Sequence, residues 1–211
     1  MKLIILVLSY DDNGIYTKFY KSQMETWDSV NIGNVSTYYY FGNHECDEMC
    51  GNKILTSISE SFENCGHKLL NSLELIKDLD YDFIFRTNSS SYVDKSILYD
   101  NLSKIKDLNY YAGINGNFRN VSYASGSGFV MTKNLVNLIL ENKSNFEHDL
   151  IDDVAVGKLV GDLGVPLYST ERFDINNNNH IAKNHYHYRI KTNNRENDIS
   201  TMYKIHEIKT K

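Results

Sequence analysis

The sequence predicts an α/β fold, a largely parallel sheet sandwiched between helices. Three observations carry that expectation. Short apolar or β-branched runs alternate with segments of helical periodicity along most of the chain. The opening run Leu3-Ile4-Ile5-Leu6-Val7-Leu8 is apolar at every position, as a strand covered on both faces must be. No internal repeat and no linker-like stretch precedes the asparagine run at 176–179, so residues 1–211 read as one domain.

The elements follow in order. Residues 3–9 form the first strand, which gives way to a polar turn from Tyr10 to Gly14. Ile15, Phe19 and Trp27 recur at near-helical spacing and predict a helix over 15–27. Val35 to Phe41 is an aromatic strand and Lys53 to Thr56 a short one. Tyr38, Tyr39 and Tyr40 are consecutive there, so their rings must alternate between faces, which argues for core more than for a sugar-stacking surface. Phe62, Leu69, Leu70, Leu73 and Ile76 mark a second helix, and Tyr81 to Arg86 a buried strand followed by the polar run 87–91. A helix over 95–106 leads to a strand from Tyr110 to Ile114, Gly-rich turns, and a strand from Ser127 to Thr132. Helices are predicted at 134–141 and 149–163, the latter stopping at Gly164, and a strand at 165–169. The Asn176-Asn177-Asn178-Asn179 run reads as a flexible loop, Tyr186 to Ile190 as a strand, and 197–208 as a helix.

Composition narrows the function classes. A net charge of −5, from 27 acidic and 22 basic residues, gives no electrostatic footprint for nucleic acid or an anionic membrane. With 16 Tyr and 9 Phe the chain is not disordered. Its 25 Asn, alongside Lys, Ile and Tyr, look like the bias of an AT-rich genome. The apolar start is short for a signal peptide and lacks a small-residue cleavage site, and no stretch is long enough to span a membrane, so a cytoplasmic location is expected. Three cysteines cannot all pair. His44, Cys46, Cys50, Cys65 and His67 resemble a loose zinc set, but their spacing fits no standard finger.

In a parallel α/β sheet ligands sit outside the carboxyl ends of the strands. That rule selects Ser9-Tyr10-Asp11-Asp12, Arg86-Thr87-Asn88-Ser89-Ser90 and the Gly126-Ser127-Gly128 turn. Neither G-x-G-x-x-G nor a Walker sequence occurs, which removes dinucleotide and P-loop chemistry.

Three blocks, in order, resemble GT-A glycosyltransferases of the β-1,3-galactosyltransferase and Fringe type. The first is Lys21-Ser22-Gln23-Met24-Glu25-Thr26-Trp27, followed by the strand ending Tyr40-Phe41-Gly42. The second joins Glu60 through Lys68 to Tyr81-Asp82-Phe83-Ile84-Phe85-Arg86-Thr87. The third is Ala124 through Thr132, then Asp152-Asp153-Val154-Ala155-Val156-Gly157, similar to the family's "EDVyvG". The size and the Asn/Lys bias look more like compact glycosyltransferases of large DNA viruses, chlorella viruses among them. The resemblance implies a GT-A fold and transfer of a hexose or deoxyhexose from a UDP-sugar to a hydroxyl of a glycan or glycoprotein.

The resemblance also assigns roles. Asp153, with Asp152 as the second choice, would be the base that deprotonates the acceptor hydroxyl; ordinary first-turn helix acidity explains both as well, and the helix start should favour the ionised form. Ser9, Tyr10 and Asp11 would lie at the nucleotide base, and Asn88 and Ser90 at donor ribose and phosphate oxygens, unless the Ser-rich run only caps the next helix. Arg86 would offset diphosphate charge or pair with a carboxylate, and Lys68 matches a family lysine. Gly126, Ser127 and Gly128 would let backbone approach the donor, or simply form a tight turn. Arg172 and Asp174 would reach the acceptor, or bridge to each other. One departure stands out: the family's Asp-x-Asp, which holds Mn²⁺ or Mg²⁺, falls on Asn88-Ser89-Ser90. The nearby Asp80-Tyr81-Asp82 opens its strand, roughly 20–25 Å from the binding end. Metal is therefore expected to be weak or absent, with His187 the candidate protein ligand. A non-catalytic nucleotide-sugar or glycan-binding module on the same fold is the alternative.

Overall fold

Six aliphatic residues in a row leave a strand no face to offer water, and Leu3–Leu8 (β1) accordingly lies in the middle of the main sheet. The computed structural model describes residues 1–175 and 181–211; the Asn176–Asn179 loop expectation falls outside them. The other strands are Val35–Phe41 (β2), Glu48–Cys50 (β3), Lys53–Leu55 (β4), Phe83–Asn88 (β5), Ser91–Val93 (β6), Tyr111–Phe118 (β7), Val121–Thr132 (β8), Leu167–Ser169 (β9), Phe173–Ile175 (β10) and His187–Ile190 (β11). The α-helices are Ile15–Glu25 (α1), Cys65–Ile76 (α2), Lys95–Leu102 (α3), Lys133–Glu141 (α4), Asp152–Asp162 (α5) and Arg195–Thr210 (α6).

The main sheet runs β3-β4-β2-β1-β5-β8-β7-β9. β4, β2, β1 and β5 are mutually parallel, with Leu8 level with Tyr40 on one side and Asn88 on the other. The carboxyl ends of three strands therefore form one ledge. β8 runs antiparallel to both β5 and β7, so the sheet is parallel on one half and mixed on the other. A second sheet, β10-β11-β6, closes over one face. Side-chain alternation along β1 divides the core: Ile4 and Leu6 pack with α2, α4 and α5, while Leu3, Ile5 and Val7 pack with α1, α3, α6 and the small sheet. Tyr39 and Tyr40 split in the same way.

The largest departure from the sequence expectation is the β7–β8 hairpin. The glycines of 113–128 are strand residues, not turns. Gly116 sits where a Cβ would lie 2.6 Å from the Tyr123 ring, and Gly113 where one would lie 2.7 Å from the Ala124 Cβ. The reversal instead uses Arg119 and Asn120, with φ of 48° and 67°, the paired positive values of a two-residue hairpin turn. β3, β6 and β10, three residues each, are too short to show a period, and none was predicted.

α5 docks on β8 through Gly157, where a Cβ would lie 2.3 Å from the Tyr123 Cβ and 2.8 Å from the Ser122 carbonyl oxygen. Gly161, one turn on, has nothing within 4 Å of that position. The same substitution at the two sites should therefore act in opposite directions. Gly157→Ala is expected to lower stability by about 1–3 kcal/mol despite alanine's helix propensity, because backbone must move. Gly161→Ala should raise it by about 0.5–1 kcal/mol. Urea unfolding of both variants checks the pair.

Candidate active site

Above the ledge lies a cleft of about 540 Å³, lined by Leu8, Ser9, Tyr10 and Tyr16 on one side, by Glu60, Ser61, Phe62, Cys65 and Lys68 on another, and by Asn88–Ser90, Lys191 and Arg195 on the third. A larger cavity, about 610 Å³, opens at the opposite ends of the strands around Met1, Asp82 and Lys133. The carboxylates of Asp80 and Asp82 are engaged there by Lys2 and the chain's amino terminus, far from the ledge. We take the smaller cleft as the site because the strand ends and the ionisable groups converge on it.

Ser9 is 4% exposed, and its backbone is already committed: its N–H donates to Tyr40 O at 3.1 Å, and its carbonyl accepts from Lys68 Nζ at 3.1 Å. Tyr10 is exposed beside it and meets Tyr16 edge to face at 5.6 Å, giving the cleft an aromatic lip. Asp11 accepts from Thr17 Oγ1 at 2.8 Å and Asp12 from the Gly14 N–H at 2.8 Å, so this pair organises the start of α1. Lys68 is 2% exposed, held 2.6 Å from Glu60 Oε2, and burial lowers its pKa. Glu60 Oε1 in turn accepts from the Gly42 N–H at 2.6 Å. Glu60 pins α2 to the strand ends; in the sequence it stood only as the first residue of the second resembling block.

Asn88 ends β5. Its Oδ1 accepts from the Ser90 N–H at 3.0 Å and its Nδ2 donates to Gly126 O at 3.2 Å. Ser90 is 8% exposed and its Oγ accepts from Arg195 Nη2 at 3.0 Å. The run is a closed hydrogen-bonded turn with no carboxylate.

Arg86, one of two readings of which had it facing a donor diphosphate, does not reach the cleft. It is 1% exposed and bonded to Asp152 through Nη2, to Gly126 O through Nη1, and to Tyr40 Oη through Nε at 3.0 Å. Asp152, the second choice for the base, is thereby buried in an ion pair. Asp153 is half-buried on the other side of the same glycine: its Oδ2 accepts from the Gly126 N–H at 2.6 Å and its Oδ1 from the Val154 N–H at 2.9 Å. Burial and the neighbouring Asp152 nevertheless push its pKa up, outweighing those bonds and Arg86. Burial and the neighbouring carboxylate thus reverse the expectation that the helix start would favour the ionised form. A side chain at Gly126 would displace the carboxylate, since a Cβ would lie 2.9 Å from Asp153 Oδ2.

Gly128 and His187 belong together. A Cβ at Gly128 would lie 2.5 Å from His187 Cε1, and the His187 ring, 1% exposed, packs edge-on to Phe85. Its Nε2 is 3.0 Å from Ser91 Oγ, and burial, with Arg172 and Arg189 nearby, pushes its pKa down to about 3. The ring is a neutral core group, not aimed at the cleft. Ser127 holds the same region together: its carbonyl accepts from Thr87 Oγ1 at 2.6 Å and its Oγ from Arg172. Arg172 also forms two bonds to Asp174, at 2.8 and 2.9 Å, so the expected acceptor contacts are bridged to each other beside Ser125 and Ser127.

The loose zinc set does not converge. Cys46 and Cys50 are exposed, Cys65 is half-buried, and among the described residues no group of three or more His, Cys, Asp or Glu side chains could hold a metal ion. No helix among the described residues is long and apolar enough to cross a membrane. Among the charged and aromatic cleft residues, Tyr16 and Glu60 had no assigned role, and Lys191 and Arg195 were noted only within the C-terminal run His187–Lys191, Arg195 and Asp198 that resembles the viral glycosyltransferases.

Residues 68–171, a little under half of the chain, match the galactosyltransferase family model. No curated protein sequence gives a match. Among solved structures, a glycosyltransferase involved in glycosylation of the major capsid of PBCV-1 aligns with 97% of this chain and 100% of its own, at 10% identity and a TM-score of 0.57. A mannosyltransferase from Pyrobaculum calidifontis, in complex with GDP-Man and Mn²⁺, aligns over 80% of this chain at 9% identity and a TM-score of 0.53. The apo glycosyltransferase GlyE of Streptococcus pneumoniae aligns over 81% at 14% identity and 0.50. The chain spans about half of the latter two, 54% and 45% respectively. The fold is that of the GT-A glycosyltransferases, and family model and fold together support a glycosyltransferase.

The buried Arg86–Asp152 pair should be structural. Asp152→Ala leaves a guanidinium buried without its anion and is expected to cost about 3–5 kcal/mol in urea unfolding, whereas Asp153→Asn should cost far less. Equal losses would contradict the division of labour between the two acids.

Proposed function

We propose that the chain transfers a hexose or deoxyhexose from a UDP-sugar to a hydroxyl of a glycan or glycoprotein, with Asp153 as the base. The observation that carries this reading is the joint held by Gly126. Its N–H donates to Asp153 and its carbonyl accepts from Asn88, a residue of the cleft lining, so Gly126 links the carboxylate to the floor on which a donor would rest. A sugar hydroxyl near neutral pH needs such a group to accept its proton, and a raised carboxylate pKa makes a stronger base.

The acceptor oxygen attacks the anomeric carbon as its proton passes to Asp153. The bond from that carbon to the diphosphate oxygen breaks, and its electron pair leaves on the nucleotide. In-line attack of this kind inverts the anomeric configuration. Tyr10 and Tyr16 offer the nucleotide base an aromatic edge, and Ser90, whose oxygen accepts from Arg195, keeps its hydroxyl hydrogen to donate to a donor oxygen. The full-length overlap with the capsid-glycosylating protein of PBCV-1 supports an acceptor of glycoprotein type.

A second reading, a binding module without turnover, is favoured by the missing carboxylates at Asn88-Ser89-Ser90. One experiment separates the two. Purified protein is screened against UDP-, GDP- and CMP-sugars, and transfer or donor hydrolysis is then followed in the wild type and in Asp153→Asn. The enzyme reading requires turnover that falls by at least about a hundredfold in the variant while UDP binding is kept. UDP binding without turnover in either protein selects the binding module.

The pH profile gives an independent check. A base must be ionised, and burial and Asp152 hold Asp153 protonated to a higher pH than an ordinary aspartate. The rate should therefore rise with pH along an acid limb lying above the usual aspartate range. A limb at the ordinary position would remove Asp153 from the role.

A further inference from the structure

The charged side chains lining the cleft are three cations, Lys68, Lys191 and Arg195, against one carboxylate, Glu60. Glu60 is paired with Lys68 at 2.6 Å and Arg195 with Asp198, which leaves Lys191 as the uncompensated charge of the cleft in a chain of net charge −5. A divalent cation, by contrast, finds no donor set. Hard cations take oxygen ligands and favour carboxylates, yet Asn88 Oδ1 is occupied by the Ser90 N–H and Ser90 Oγ by Arg195. His187 is buried with Nε2 against Ser91. The residues present do not fit the metal that such sites usually hold.

Resting on the donor reading above, we propose that Lys191 replaces the divalent cation, neutralising the donor diphosphate directly so that transfer needs no metal. Lys191 is exposed at the cleft and makes no hydrogen bond or ion pair among the described residues, so its charge is available. Its backbone is fixed: it directly follows β11, whose last residue, Ile190, donates its N–H to Ser90 O at 2.7 Å. Arg195 is the positioning residue. Its Nη1 donates to Ile190 O at 3.2 Å and to Asp198, which is 0% exposed and also accepts from Thr192 Oγ1 at 2.6 Å. Its guanidinium lies 4.3 Å over the Phe19 ring. Together these contacts lock the Lys191–Arg195 turn against the end of β5. As the bond to the anomeric carbon breaks, the departing diphosphate gains negative charge, and an ammonium carried on a held backbone beside it stabilises that change more than the ground state.

The test is titration calorimetry with UDP and with uridine, each in EDTA and in Mn²⁺, on the wild type, Lys191→Gln and Lys191→Arg. Because Lys191 is exposed, neither variant threatens the fold. The wild type should bind UDP equally in both conditions and more tightly than uridine. Lys191→Gln should lose about tenfold in UDP affinity with uridine unchanged, and Lys191→Arg should restore most of it. UDP bound only with Mn²⁺, or bound at full strength by Lys191→Gln, overturns the assignment and leaves the glycosyltransferase reading standing. A wild type that does not bind UDP in either condition overturns the donor reading, and this proposal with it.

Discussion

A guanidinium buried to 1% exposure is tolerable only where anions and carbonyls surround it, and the organisation of this site follows from how Arg86 meets that requirement. Its three nitrogens each donate, to Asp152 on α5, Gly126 on β8 and Tyr40 on β2, while its own strand is β5. One side chain thus fixes a helix and two strands against a third. The cost of removing charge from water is offset only because every partner is present together, so the arrangement is cooperative. It also sets the position of Asp153, which shares a helix turn with Asp152 and shares Gly126 with Arg86.

The cleft above that anchor is built from groups whose hydrogen bonds are already made. Ser9, Asn88 and Ser90 are held by Tyr40, Lys68, Gly126 and Arg195, so little reorganisation remains when a ligand enters. The electrostatics run against the molecule as a whole: the chain is acidic, yet the cleft carries more cationic than anionic side chains. A cationic recess in an acidic chain favours an anionic ligand at that place.

Much of this was legible in the sequence, and the exceptions have physical causes. The β1, β2 and β5 strands and all six helices were readable because each buries a regular face against one neighbour. The long β7–β8 hairpin was not, because Gly113 and Gly116 look like turn residues when their function is to clear Ala124 and Tyr123 on the partner strand. The small sheet was missed because β6 and β10 are too short to show a period and are held by β11. At the site, the strand-end rule found Ser9, Tyr10, Asn88 and Ser90, all of which line the cleft. It could not distinguish an Arg86 facing a ligand from one facing Asp152, since that depends on where α5 lies.

The sequence by itself determined the α/β alternation, the buried first strand and the ledge of polar residues at the strand ends, because these depend on periodicity and on which residues can bear burial. It also determined that Asn88-Ser89-Ser90 lacks the charge to hold a hard cation. Only the tertiary structure decided the division of labour between Asp152 and Asp153, adjacent and chemically identical in the chain. Helix α5 turns one toward Arg86 and leaves the other half-buried beside Gly126. The same holds for Lys191 and Arg195, which lie about a hundred residues beyond Ser90 in sequence and share its cleft only because β11 pairs with β6. Long-range pairing brings these groups together, and no local pattern encodes it.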